Sequence, residues 1–177
     1  DYQFDHRTRI EHAQIIKEED LKEISDLNVI ASVQPMHCIS DMYMAEERLG
    51  DRVKDSYLWK TLIDNNILLI GGSDFPVENP SPLKGIYAAV NRTKFNNSPY
   101  GGWQSKEILN LKEALEMYTK NTAYGSFKEN FKGNIEIGKI ADFTLIDRDI
   151  SLLSNHDVLE CKISGTIVNG EMVYKDF

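Results

Sequence analysis

The stretch that decides the fold is Ile67–Pro76, which reads ILLIGGSDFP in one-letter code. The run from Ile67 to Gly71 is almost wholly apolar, which is typical of a strand buried on both faces in a parallel sheet covered by helices. Asp74 follows this strand directly. Because active-site residues collect at the carboxyl ends of parallel strands, Asp74 is the first candidate site residue.

Predicted strands and predicted helices alternate in the segments before this strand. Arg9–His12 and the β-branched run Val29–Gln34 are predicted strands, and residues at helical spacing predict helices over Lys17–Leu27 and Tyr57–Asp64. A strand, helix, strand, helix order indicates a parallel α/β sheet.

Residues 34–37 are predicted to form a loop, and a stretch of polar composition runs from there to Asp51. Further on, Ser81 followed by Pro82 is typical of a helix start with proline at the first helical position. Asn110, with an acidic residue three positions later, resembles a capping box at the start of another helix.

The pattern changes after Lys132, where glycines separate short runs of alternating apolar and polar residues. Lys162–Val168 and Glu171–Tyr174 flank Asn169-Gly170, and this dipeptide favours a type I′ hairpin turn. We therefore expect a parallel α/β part over residues 1–131 and a small antiparallel β part over residues 132–177.

Composition excludes several function classes. The 177 residues carry 20 Lys and Arg against 28 Asp and Glu, a formal charge of −8, which argues against nucleic acid because phosphates are bound by basic residues. No apolar run approaches the roughly 18 residues that span a bilayer. Two distant cysteines predict no disulfide framework. We expect a cytoplasmic protein with no nucleic-acid or membrane partner.

Three residues at or just past predicted strand ends are potential metal ligands or acid/base groups, namely His12, His37 and Asp74. An imidazole and a carboxylate brought together at neighbouring strand ends would suit a divalent cation such as zinc. Other interpretations remain open: Asp74 as an Asx-turn residue, His12 as a buried hydrogen-bonded histidine, and His37 as a solvated loop residue. A nucleophile at Cys38 is disfavoured, because no third group is indicated to orient a Cys-His pair.

Several segments, taken in order, resemble the amidohydrolase superfamily, in particular the C-terminal portion of its branch that contains N-substituted formamide deformylase. The matching segments are RIEHAQ (9–14), SVQPMH (32–37), GSDFPV (72–77), PLKGIYAAV (82–90), LKEALEMYT (111–119) and GKIADF (138–143).

The resemblance implies an α/β fold: the C-terminal part of a TIM-like (β/α)8 barrel, about strands six to eight, followed by part of a small β-sandwich. It implies that His12 is the strand-six metal ligand and that Asp74 is both a metal ligand and the catalytic general acid/base. His37 would face the substrate pocket, and Asp142 would be structural.

The implied activity is metal-dependent hydrolysis of an amide or other C–N bond, but not a peptide bond, in a small-molecule substrate. The early-strand ligands of the family are absent, and the chain begins at Asp1 without a methionine, as if inside a longer polypeptide. A zinc site needs three or four protein ligands, so we expect an incomplete site and a fragment inactive by itself.

The rival hypothesis is a non-catalytic folded fragment with a structural or interaction role. A partial barrel would also leave strand edges unpaired, and such edges pair with other chains. We therefore expect self-association of the fragment, or a homo-oligomer.

Overall fold

A parallel three-stranded sheet is formed by the N-terminal part of the chain in a computed structural model that describes residues 4–177. Its strands are β1 (Arg9–Glu11), β2 (Ile30–Val33) and β3 (Leu69–Gly71), in the order β1-β2-β3. In register, Glu11 lies beside Ser32 and Val33 beside Gly71. The predicted parallel α/β arrangement is confirmed, and the carboxyl ends of the strands lie at one edge.

Helices connect and follow these strands. They are α1 (Leu21–Asp26), α2 (Pro35–Leu49), α3 (Trp59–Asp64), α4 (Pro82–Asn91), α5 (Leu111–Tyr118) and α6 (Lys120–Gly125). The predicted capping box at α5 is confirmed. The Asn110 side chain accepts a hydrogen bond from the Glu113 N–H at 2.9 Å, and the Glu113 carboxylate accepts one from the Asn110 N–H at 2.9 Å.

The predicted loop over residues 34–37 is wrong, because Pro35 to His37 form the first turn of the 15-residue helix α2, which also takes up most of the polar stretch that follows. Pro35 occupies the first helical position, where its fixed φ and missing N–H are tolerated. Cys38, Met42 and Ala45 recur at helical spacing and are buried. Ser40, Tyr43 and Met44 between them are exposed, and this mixture of polar and apolar residues conceals the stripe in the sequence.

A second, antiparallel sheet follows, with strands β4 (Phe143–Ile146), β5 (Ile163–Val168) and β6 (Glu171–Lys175). Asn169 and Gly170 have φ values of 51° and 81°, which confirms the predicted hairpin because its turn needs positive φ twice. The Asp142 carboxylate accepts a hydrogen bond from the Asn169 N–H at 2.8 Å, so Asp142 anchors the turn.

One buried apolar cluster joins the helices to the parallel sheet. The 3-10 helix Asn155–Glu160 also contributes to it, through Val158. Asn91 donates to the Asn155 carbonyl at 2.9 Å, and Asn155 donates to the Val90 carbonyl at 3.0 Å. Among residues 4–177, no helix combines the length and the apolarity needed to cross a membrane.

Candidate metal centre

The three predicted candidates meet at the carboxyl edge of the parallel sheet. His12 follows β1, His37 lies in the first turn of α2 after β2, and Asp74 lies three residues beyond β3. One potential ligand atom from each side chain lies within 4.8 Å of the other two. Residues that are far apart in the sequence are therefore brought within reach of a single cation.

The backbone at two of these positions is unusual. His12 has a φ of 68° and Asp74 a φ of 54°, a left-handed conformation that costs non-glycine residues of order 1 kcal/mol or more and clusters at functional sites. At Asp74 the backbone carbonyl, rather than the carboxylate, accepts the turn hydrogen bond from the Val77 N–H at 2.8 Å. The Asx-turn interpretation therefore does not explain this carboxylate.

His37 is buried, contrary to the expectation of a solvated loop histidine. Within the described chain its Nε2 has no hydrogen-bond partner, and a buried polar atom left in this state costs about 1–3 kcal/mol. Its ring stacks on that of His12, with centroids 5.9 Å apart and an interplanar angle of 11°. An incoming ion or substrate oxygen would satisfy this nitrogen.

His12 and Asp74 are exposed, so the cluster opens to solvent on one side. Exposure also rules out the interpretation of His12 as a buried strand-end histidine. Beside it, a hydrogen bond from Ser32, together with the Arg9 guanidinium, holds the pKa of the Glu11 carboxyl below its usual range. The donor set of two imidazoles and one carboxylate fits a divalent ion of borderline softness.

Cys38 is excluded as a catalytic nucleophile because it is buried. Cys38 is fully buried, and burial raises the pKa of its thiol to about 12. The reactive form of cysteine is the thiolate, which is scarce at neutral pH when the pKa is that high. A Cys38-His37 hydrolase is therefore incompatible with the structure.

Sequence reasoning missed a polar network beside the cluster. The Tyr57 hydroxyl donates to the Asp41 carboxylate at 3.2 Å and accepts from the Gln14 side chain at 3.1 Å. The only local signal was the position of Asp41, one helical turn after His37 on α2. The partners of Tyr57 are too distant in the sequence for any periodicity to reveal them.

Comparisons with known proteins agree on one family. A sequence profile described as "Amidohydrolase family" matches residues 1–174. Putative amidohydrolase YtcJ of Bacillus subtilis is 34% identical over 168 residues, covering 94% of this chain and 32% of YtcJ. N-substituted formamide deformylase of Arthrobacter pascens is 26% identical over 169 residues, covering 94% of this chain and 31% of that protein.

A solved structure of a metal-dependent hydrolase is also similar to this chain. The crystal structure of an uncharacterized metal-dependent hydrolase from Pyrococcus horikoshii OT3 superposes with a TM-score of 0.74 and 32% sequence identity. The match covers 84% of this chain and 30% of that one. The chain spans about a third of the length of the curated relatives it matches.

Proposed function

The chain belongs to the amidohydrolase family, and from this premise we propose that it is the C-terminal part of a metal-dependent hydrolase. The bond cleaved is an amide or other C–N bond, other than a peptide bond, in a small molecule. The observation that carries the proposal is the convergence of His12, His37 and Asp74, whose potential ligand atoms lie within 4.8 Å of one another.

In this proposal β1, β2 and β3 are about strands six to eight of a TIM-like barrel, with residues 1–131 as its partial domain. Residues 132–177 contribute part of a small β-sandwich. The parallel order of the first three strands and the separate antiparallel sheet support this division. Barrel enzymes place their active sites at the carboxyl ends of the strands, which is where the candidate cluster lies.

His12 and Asp74 would hold the ion, for which zinc is the proposed identity because nitrogen and carboxylate donors suit it. A bound divalent ion supplies Lewis acidity, which polarises a carbonyl and lowers the pKa of water from 15.7 to about 7. The potential ligand atoms of His12 and Asp74 lie within 4.8 Å of each other, which supports this fit. The buried Nε2 of His37, which has no hydrogen-bond partner among residues 4–177, is left for a substrate atom.

Asp74 would act as the general acid/base. Its exposed carboxylate can accept a proton from the attacking water and deliver it to the departing nitrogen, the two proton transfers that hydrolysis of a C–N bond requires. We assign His37 to the substrate, whose carbonyl oxygen its Nε2 would contact. The geometry also permits His37 to be a third metal ligand, and the affinity of a His37→Ala variant for the ion distinguishes the two roles.

The site within this chain is proposed to be incomplete, since two assigned ligands are fewer than the three or four of a zinc site. The test is a Co²⁺ or Zn²⁺ titration of the 177-residue chain by calorimetry. We expect weak binding that His12→Ala and Asp74→Ala abolish and His37→Ala leaves unchanged. His156→Ala is the matched control, because His156 is exposed and packs on Tyr87 rather than at the cluster.

Each outcome has a distinct meaning. Unchanged binding in the His12 and Asp74 variants refutes the assigned ligands, and tight stoichiometric binding refutes incompleteness. No binding at all would favour the non-catalytic fragment. In a complete enzyme that contains this chain, Asp74→Ala should abolish turnover without unfolding the protein, and retained turnover would contradict its acid/base role.

A further inference from the structure

Tyr57 connects the two segments that carry the histidines. It lies between α2 and α3, is buried, and has a left-handed φ of 54°. Its N–H donates to the Gln14 carbonyl at 2.8 Å, and Gln14 is two residues beyond His12. The backbone of Tyr57 therefore holds the segment that leaves β1.

The side chain of Tyr57 extends this connection to α2. The Gln14 Nε2 donates to the Tyr57 hydroxyl at 3.1 Å, and the hydroxyl donates to the Asp41 Oδ2 at 3.2 Å. Asp41 is one helical turn beyond His37, and i, i+4 side chains lie on one face of a helix. A single hydroxyl thus bridges the segment after His12 and the face of α2 that carries His37.

Tyr57 is itself fixed by its surroundings. The buried Arg92 donates from Nη1 to the Tyr57 carbonyl at 3.0 Å and from Nε to the Trp103 carbonyl at 2.7 Å. The Arg92 guanidinium lies 4.5 Å from the centre of the Trp59 ring, and the rings of Trp59 and Trp103 pack edge-on against Tyr57. The tyrosine therefore cannot follow either histidine segment if that segment moves.

The hydroxyl remains a donor at all ordinary pH values. Burial, reinforced by the nearby Asp41 carboxylate, raises the pKa of Tyr57 well above its usual range. A neutral hydroxyl can donate to Asp41 and accept from Gln14 at the same time. Both links consequently persist together.

From this geometry we infer that Tyr57 is a positioning residue: through its bonds to Gln14 and Asp41 it holds the segment that carries the metal ligand His12 in place against the face of α2 that carries His37. The inference rests on the proposed metal-dependent function, and it assigns no catalytic role to the tyrosine. His12 and Ala13 both have positive φ, so they lie outside the regular β ladder. Their placement depends on contacts such as those of Gln14.

The test is Tyr57→Phe, which removes the hydroxyl and keeps the ring. Outer-shell changes of this kind weaken metal affinity by about 10-fold to 100-fold. We expect the lower end, because the hydroxyl acts on the proposed ligand His12 only indirectly, through the Gln14 side chain and the backbone between them. The probe is Co²⁺ alone, titrated into the 177-residue chain and followed by its visible absorption. The dissociation constant should rise about tenfold.

Tyr87→Phe is the matched control. Tyr87 is also buried, and its hydroxyl bonds to the Thr93 hydroxyl at 2.9 Å and to the Lys94 carbonyl at 3.2 Å. Both variants should lose comparable thermal stability, whereas only Tyr57→Phe should lose Co²⁺ affinity. A purely structural role for Tyr57 predicts the same small affinity change in both variants.

Variants of Asp41, which accepts the hydrogen bond of the Tyr57 hydroxyl, provide a second check. Asp41→Asn keeps an oxygen that accepts the tyrosine proton and should retain most of the affinity, whereas Asp41→Ala should match Tyr57→Phe. Combining Asp41→Ala with Tyr57→Phe should add little further loss, because both remove the same link. Independent, additive losses would overturn the proposed coupling.

Failure of the metal site and failure of the positioning role are distinguishable. If the unsubstituted chain binds Co²⁺ and Tyr57→Phe binds it within twofold, the positioning role is wrong and the metal site stands. If the unsubstituted chain binds no Co²⁺, the test is whether NMR detects contacts between the ring protons of His12 and His37. Contacts that are present in the unsubstituted chain and lost in Tyr57→Phe support the inference. Contacts that persist in Tyr57→Phe, or that are absent from both proteins, overturn it.

Discussion

The substitution Gly85→Ala in helix α4 should have two opposing effects on the free energy of unfolding. In a helix interior alanine is favoured over glycine by about 1 kcal/mol. A Cβ at position 85, however, would lie 1.9 Å from the hydroxyl oxygen and 2.7 Å from Cζ of Tyr118. These distances are far below van der Waals contact, so the tyrosine ring must move.

The cost of that movement exceeds the gain in helix propensity. Tyr118 is largely enclosed, and its hydroxyl donates to the Gly72 carbonyl at 3.4 Å. Overpacking a close-packed site costs typically about 1–3 kcal/mol, and a displaced hydrogen bond about 1 kcal/mol more. After subtracting the propensity term, we expect Gly85→Ala to destabilise the chain by about 1–3 kcal/mol.

The assay is urea unfolding of the two proteins under identical conditions. Gly72→Ala is the control, because a Cβ there would meet no atom within 4 Å, and it should change the free energy of unfolding by less than about 0.5 kcal/mol. In a Tyr118→Leu background the clash is removed, so Gly85→Ala should become neutral or stabilising. A stabilising effect in the original background, or no change of sign between backgrounds, would refute the packing argument.

Three further outcomes are expected. The Arg7 guanidinium lowers the pKa of Glu129 from its ordinary value of 4.5 to about 2. The stabilisation by this ion pair is therefore fully present above the ordinary pKa and is lost as the pH falls toward 2. Between pH 6 and pH 3 the urea midpoint should therefore fall less steeply for Glu129→Gln than for the unsubstituted chain. Parallel curves of urea midpoint against pH for the two proteins would contradict this reasoning. Cys38, fully buried with a raised pKa, should react with thiol reagents only after denaturation; labelling of the native chain at a rate like that of free cysteine would disprove this protection. All residues of β1 are exposed, so the apparent mass by light scattering should rise with concentration, and a monomer at every concentration would end the self-association hypothesis.

Local signals in the sequence were sufficient for several elements. The apolar run before Asp74, the capping box at Asn110 and the Asn169-Gly170 turn each act within a few residues, and the structure has β3, α5 and the predicted hairpin there. The order of the strands also placed His12 and Asp74 at the same edge. These predictions succeeded because short-range hydrogen bonds and backbone preferences determine such elements.

Helix α2 and the burial of His37 were not predictable in the same way. The buried stripe of α2 is interrupted by Ser40 and Asp41, so its period is recognisable only once the face against α4 is known. His37 is buried in the folded chain, and no property of the residues around it in the sequence requires that outcome. Tertiary packing therefore overrode the local interpretation.

By itself, the sequence determined which residue types stand at the strand ends, and hence the donor chemistry of His12, His37 and Asp74. Only the tertiary structure decided that their ligand atoms lie within 4.8 Å of one another and that Tyr57 bridges the segments carrying the two histidines. The physical reason is that donor chemistry belongs to each residue, whereas distances and long-range hydrogen bonds arise when packing brings distant segments together.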